Sequence, residues 1–203
     1  ALCAKCRHSL PRLPLERCPQ CAVPTPHGER CGACLAEPPS FDSADAFWRY
    51  AWPLAPLIAR FKYGGCLALT AAFADAVCGA VAARDVDVVI AMPLAPTRLR
   101  ERGFNQALEL ARAIATRRHL PLAADACRRV RDGVPQASLP WRERAKNVRG
   151  AFRCPGIVGG TVAVVDDVMT TGATLEEVAA VLKRAGAARV VNWVVARTLP
   201  GHV

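Results

Sequence analysis

Apolar residues follow no helical or strand period over residues 1–40, which are rich in Cys, Pro and Arg and end in EPPS at 37–40. From Phe41 onward, both periods appear in alternation. AFWRYA at 46–51 reads as a short aromatic strand, and LIARFKY as a helix. An Ala-rich helix is expected near 66–83. VDVVIAM at 86–92 is a buried strand by its Val/Ile content, bounded by Asp85 and Pro93. Phe104, Leu108, Ala111 and Ala115 recur at helical spacing with arginines outside them, so a helix is predicted from Phe104 to about Arg118. The polar, basic passage from Arg128 to Arg149 is too long for a simple connection. A strand at 161–165, a helix at 174–185 stopped by Gly186, and a strand at 189–196 then make a βαβ unit. Strands alternating with helices predict an α/β fold with a doubly wound, mainly parallel sheet. The expected organisation is a cysteine-rich segment over 1–40 and an α/β domain over 41–203.

The strand at 161–165 runs into unusual chemistry, because VAVVDDVMTTGAT at 162–174 carries an apolar run into Asp166 and Asp167 and then a Thr/Gly loop. In an open parallel sheet, ligands bind beyond the carboxyl ends of strands. The loop Met169, Thr170, Thr171, Gly172, Ala173 and Thr174 leads into a helix whose first N–H groups are unpaired, and Gly172 permits close backbone approach to a phosphate. Two carboxylates beside such a loop suit a phosphorylated sugar, with the acids accepting hydrogen bonds from vicinal hydroxyls. A hydrophobic strand ending in acids is also the Walker-B pattern, but no GxxxxGK[ST] occurs in the chain, which removes the P-loop NTPase class.

Charge narrows the partner. Lys and Arg number 27 against 17 Asp and Glu, a formal charge of +10, which favours an anionic substrate or a polyanion. Arg98, Arg100 and Arg102 precede the helix predicted from Phe104, where cations oppose the helix dipole, so an anion beside them would resolve the conflict. Arg60 and Lys62 in RFKYGG fit either a ligand contact or a helix end closed by Gly64 and Gly65. Phe47, Trp48, Tyr50 and Trp52 fit either base stacking or sheet packing. The most apolar stretch, 67–83, is interrupted by Asp75 and falls short of the roughly 18 to 20 apolar residues of a membrane helix. No membrane insertion is expected, and a soluble protein is the default.

Six of the ten cysteines form three CxxC pairs. Cys18, Cys21, Cys31 and Cys34 have the C-x2-C-x9-C-x2-C spacing of a closed structural Zn²⁺ site. That usage points to a reducing compartment, most simply the cytoplasm. Cys3 and Cys6 cannot close a tetrahedral site by themselves. They are candidates for a second Zn²⁺ site, either joining Cys18 and Cys21 or completed by thiols upstream of Ala1, where the chain starts without Met.

Together these segments resemble a known family. VVDDVMTTGAT is similar to the phosphoribosyl diphosphate (PRPP) motif of type I phosphoribosyltransferases. CPQC, CGACL, PPSFD, RFKYGG, PLAPTRLRERGFNQA and PQASLPWRERAKNVRGAF resemble the ComF/GntX-type competence-associated phosphoribosyltransferase-like proteins over essentially the whole chain. The resemblance implies an N-terminal zinc ribbon, with a further upstream CxxC in similar members that makes it a double ribbon. It implies Mg²⁺-dependent displacement of pyrophosphate from PRPP and, in some members, a link to natural transformation and DNA uptake. It places Asp166 and Asp167 on the ribose and Met169 to Thr174 on the 5′-phosphate. Pro93, Leu94 and Ala95 take the place of the pyrophosphate loop, with Arg98, Arg100, Arg102, Asn105 and Gln106 on the diphosphate side. Arg129, Arg131, Gln136, Arg144, Lys146 and Asn147 fall where related enzymes have a flexible loop. Two functions are carried forward: a PRPP-dependent transferase with an unknown acceptor, and a non-catalytic single-stranded DNA-binding adaptor, partnered by competence-machinery proteins, with a regulatory or vestigial PRPP site.

Overall fold

The valine-rich segments fold into a four-stranded parallel sheet in which Ser43–Arg49, Arg189–Arg197, Thr161–Met169 and Val88–Ala91 lie side by side in that order. The computed structural model describes residues 2–81, 86–131, 148–155 and 159–199. A short helix α1 (Ala4–His8) and a second, α2 (Gly32–Ala36), belong to the cysteine-rich segment. Then follow β1 (Ser43–Arg49), α3 (Leu54–Tyr63), α4 (Leu69–Ala80), β2 (Val88–Ala91), α5 (Pro96–Arg102) and α6 (Gln106–Arg118). Two-residue strands β3 (Arg128–Arg129) and β4 (Phe152–Arg153) pair antiparallel. The chain closes with β5 (Thr161–Met169), α7 (Ala173–Arg184) and β6 (Arg189–Arg197).

Val162 to Val165 in β5 and Val190, Val191, Val194 and Val195 in β6 are fully buried. That is the unbroken apolar run expected of strands covered on both faces. Helices α4 and α6 pack on each other, α4 against β1 and β6, and α6 against β2 and β5, while α7 lies against β6. Trp48 is buried, its ring 5.9 Å from Phe73, which is in turn 5.5 Å from Phe61. Packing therefore accounts for Trp48, whereas Trp52 is exposed.

The cysteine-rich segment shares this core. Leu10, Leu13 and Ala22 are buried in the same apolar cluster as the sheet. Backbone bonds from Leu13 N to Phe47 O (3.1 Å) and from Arg49 N to Pro11 O (2.8 Å) lay it along the free edge of β1. Among the described residues, no helix is long and apolar enough to cross a membrane.

Three differences from the sequence reading bear on the site. First, β5 continues to Met169 instead of stopping at 165, because Asp166, Val168 and Met169 keep pairing with Val194, Ala196 and Arg197 of β6. Second, Arg98, Arg100 and Arg102 occupy their own helix, α5, started by Pro96 and closed by Gly103 at φ 78°. Arg100 and Arg102 lie in its last turn, where the dipole favours cations, so the electrostatic conflict that suggested an anion there does not exist. Third, Cys127 and Cys154, which stand singly in the sequence, form a disulfide joining the β3 and β4 segments.

Candidate ligand site and metal cage

Adjacent residues of a strand face opposite sides of the sheet, and this divides the two carboxylates. Asp166 is half-buried and lines a small open cavity with Val168, Met169 and residues 170–175. Asp167 is 3% exposed and turns to α3, where Lys62 Nζ lies 2.8 Å from its Oδ1. Its Oδ2 is buried with no hydrogen-bond partner among the described residues.

The loop after β5 is held by its own residues. Gly172, at φ 84°, is the N-cap of α7, and its carbonyl accepts the first helical bond from Glu176 N at 2.8 Å. A Cβ on Gly172 would stand 2.8 Å from Met169 Cε and in a left-handed conformation, so glycine suits this turn on both counts. Thr171 Oγ1 accepts from Ala173 N at 3.1 Å. The positive end of the α7 dipole thus faces the cavity that Asp166 borders.

Electrostatics set the two acids apart. Burial, and then the neighbouring Asp167, push Asp166 up to about 7 against the pull of Lys62. Burial works against the Lys62 cation, but Asp167 more than compensates, and the net direction is upward. Lys62→Met leaves Asp167 buried without its counter-charge. The expected loss is about 2 kcal/mol of stability by urea unfolding, below the ~3–5 kcal/mol of a fully buried pair because Lys62 is partly solvated.

The loop 93–95 follows β2 beside β5, and Met92 N donates to Val165 O at 2.8 Å, so Pro93, Leu94 and Ala95 stand at the carboxyl end of the neighbouring strand. Asn105 caps α6 by accepting from Ala107 N at 3.0 Å and ties down this loop by donating to Met92 O at 3.1 Å. Gln106 is buried and accepts from Arg102, whose guanidinium lies over the Tyr63 ring at 4.9 Å. Arg98 pairs with Glu101 at 3.1 Å, and Arg100 is exposed. The structure therefore gathers Asp166, the 169–174 loop, 93–95 and Arg102 with RFKYGG, and gives Asn105 and Gln106 internal partners.

In the basic passage, Arg129 stacks over Phe152 at 5.6 Å and donates to Arg131 O at 3.2 Å, while Arg131 donates to Arg149 O at 2.9 Å. Gln136, Arg144, Lys146 and Asn147 lie outside the described residues.

The thiols of Cys18, Cys21, Cys31 and Cys34 lie within 4.8 Å of one another. A tetrahedral zinc with sulfur at ~2.3 Å needs thiolates about 3.8 Å apart, so the cage fits such an ion. Two turns shape it: Ala22 N donates to Cys18 O at 2.9 Å with Ala22 at φ 60°, and Cys31 caps α2. Cys3 and Cys6 sit exposed around α1, outside this four-thiol group.

Residues 104–199, which include the cavity and its flanking strands β5 and β6, match the phosphoribosyl transferase domain family. The chain is 34% identical over 207 residues to DNA utilization protein YhgH of Escherichia coli K12, covering 98% of this chain and 91% of that protein. It is 30% identical over 210 residues to competence protein F of Haemophilus influenzae, covering 97% and 90%. Competence protein ComFC of Streptococcus pneumoniae is 28% identical over 189 residues, covering 92% and 83%. The chain belongs to the family of these proteins, the ComF type.

Proposed function

We propose that the chain binds PRPP, with Mg²⁺, beyond the carboxyl ends of β2 and β5, and transfers its ribose 5-phosphate to an acceptor in the service of DNA uptake. The observation that carries this reading is the cavity bordered by Asp166 and walled by residues 168–175 at the N-terminus of α7. Backbone N–H groups and the hydroxyls of the loop take the 5′-phosphate. Asp166 accepts from the ribose hydroxyls, and Asp167, turned to α3 with one oxygen on Lys62, backs it from the other side of the strand. Residues 93–95, with Arg102, border the diphosphate. The C1–O bond to the diphosphate breaks and the leaving group keeps the electron pair, while the acceptor's nitrogen bonds to C1. Asp166 is the carboxylate placed to hold Mg²⁺, which would supply neutralisation of the diphosphate's charge. The cysteine cage holds structural zinc and carries no chemistry of its own. The DNA-uptake context rests on the relatives named for DNA utilization and competence.

Asp166 provides a pH signature. Its ionised form offers both oxygens as acceptors to the ribose hydroxyls, so binding is complete above its value of about 7 and weakens as pH falls below it. Calorimetry should show PRPP affinity about tenfold weaker at pH 6 than at pH 8, with Asp166→Asn flattening the part of the profile not due to the ligand's own phosphates.

Exposed Arg128, Arg131, Arg149 and Arg153 around β3 and β4 favour the second reading, a DNA-binding adaptor. A turnover screen, pyrophosphate release from PRPP with a panel of bases and amines, separates the two. Release with one acceptor supports the transferase. Release with none, together with DNA binding that weakens steeply with salt, supports the adaptor.

A further inference from the structure

Arg197, the last residue of β6, is a buried cation 4% exposed. Its hydrogen-bond partners among the described residues are four backbone carbonyls. Nε donates to Cys21 O at 2.8 Å, and Nη1 donates to Met169 O at 3.1 Å, to Thr198 O at 2.6 Å and to Thr170 O. One guanidinium thus touches the cysteine cage with one edge and the start of the phosphate loop with another. Arginine suits this place because its planar fork offers several fixed donors on one charge.

A second tie closes the other end of the loop. Ser40, at the end of the cysteine-rich segment, donates from N (2.7 Å) and Oγ (2.5 Å) to the carboxylate of Glu176 in the first turn of α7. The ribbon therefore grips the loop where it leaves β5 and where it enters α7.

Charge gives these contacts a direction. A buried cation without an acid among its hydrogen-bond partners is costly, and a zinc ion held by four thiolates is net negative and lies next to it. Met169 O is also held by Thr198 N at 3.0 Å, so the Thr170 carbonyl, one residue into the loop, is the one that depends on Arg197. Losing the metal frees the Cys21 turn and removes the negative neighbour, which loosens Arg197 and with it that carbonyl.

We propose that metal occupancy of the four-cysteine cage sets the shape of the phosphate loop, with Arg197 as the positioning residue that transmits it. The identity of the loop's ligand rests on the PRPP reading above; the coupling itself does not. By linkage the effect is reciprocal, so a ligand on the loop slows metal loss from the cage.

Amide hydrogen exchange on the full chain tests this without needing a ligand. Chelating the metal from the wild-type protein should speed exchange at 170–174 by about tenfold or more, while amides inside β5 and β6 keep their protection. Unchanged loop exchange overturns the coupling, and so does equal loss of protection in the strands, which would mean that the metal merely holds the fold. In Arg197→Lys, which keeps the charge but not the fork, the loop should exchange fast with the metal content unchanged; slow, wild-type exchange in that variant removes Arg197 from the account. If the variant does not fold, the wild-type comparison still decides. A third arm adds PRPP with Mg²⁺ to the metal-loaded protein. Protection of 170–174 and slower metal release to a chelator support both readings. No protection, with the first arm positive, overturns the PRPP reading and leaves the coupling standing.

Discussion

Asp166→Asn weakens PRPP binding about 30- to 100-fold by calorimetry, at constant fold and zinc content, because the amide keeps the shape but loses the charge that strengthens its hydrogen bonds. The substitution is nearly isosteric at a half-buried position, and Asp167 N still finds an oxygen where Asp166 Oδ1 now accepts at 2.8 Å. Adding Asp167→Asn lowers stability, since Lys62 then faces a neutral amide. The two effects separate in measurement: urea unfolding reports the Lys62 pair, and PRPP titration reports the cavity. An Asp166→Asn variant that binds as wild type would place the ligand elsewhere.

Cys34→Ser releases the metal from the cage and detaches the ribbon. Cys34 is 5% exposed in α2 and is one of the four clustered thiols. Structural zinc sites contribute about 10–16 kcal/mol to the folding of the segment they hold, as much as or more than a domain's entire stability of about 5–15 kcal/mol. Because Leu10, Leu13 and Ala22 pack into the same core as the sheet, the loss spreads beyond residues 1–40. Metal analysis should fall by one zinc per chain, limited proteolysis should cut within the first 40 residues, and the melting temperature should drop. Full zinc content with unchanged proteolysis would contradict a closed four-cysteine site.

What could be read from the sequence follows local physics. The βαβ unit at the end of the chain was legible because buried parallel strands are continuous apolar runs and Gly186 marks the helix stop. The cage was legible because two CxxC turns fix four thiols by spacing alone. The extension of β5 was not, since the two carboxylates break the apolar run and only the ladder to β6 carries the strand past them. The separate helix α5 had a local signal in its Pro96 start and Gly103 stop, outweighed by the apolar period that begins at Phe104. The Lys62–Asp167 pair, the Arg197 contacts and the Cys127–Cys154 bond had none. Each joins residues far apart in the chain, and the Lys62 contact requires the alternation of β5 to send Asp167 toward α3 while Asp166 faces the cavity. One arginine at the end of an apolar strand looks like a strand terminus, and nothing in its neighbours announces that it meets a cysteine turn.

The division of labour at the site also changes. The sequence suggested two equivalent acids on a ribose. The structure gives them distinct environments, one half-buried with its proton affinity raised and one neutralised by a lysine. The same fold places the loop 93–95 at the neighbouring strand end, so a ligand spanning β2 and β5 would touch both.

The most direct test is a calorimetric titration of the zinc-loaded wild-type protein with PRPP and Mg²⁺, run beside Asp166→Asn. Saturable binding of one PRPP per chain is expected, weakened about 30- to 100-fold in the variant. Absence of binding, or equal affinity in the two proteins, would contradict it.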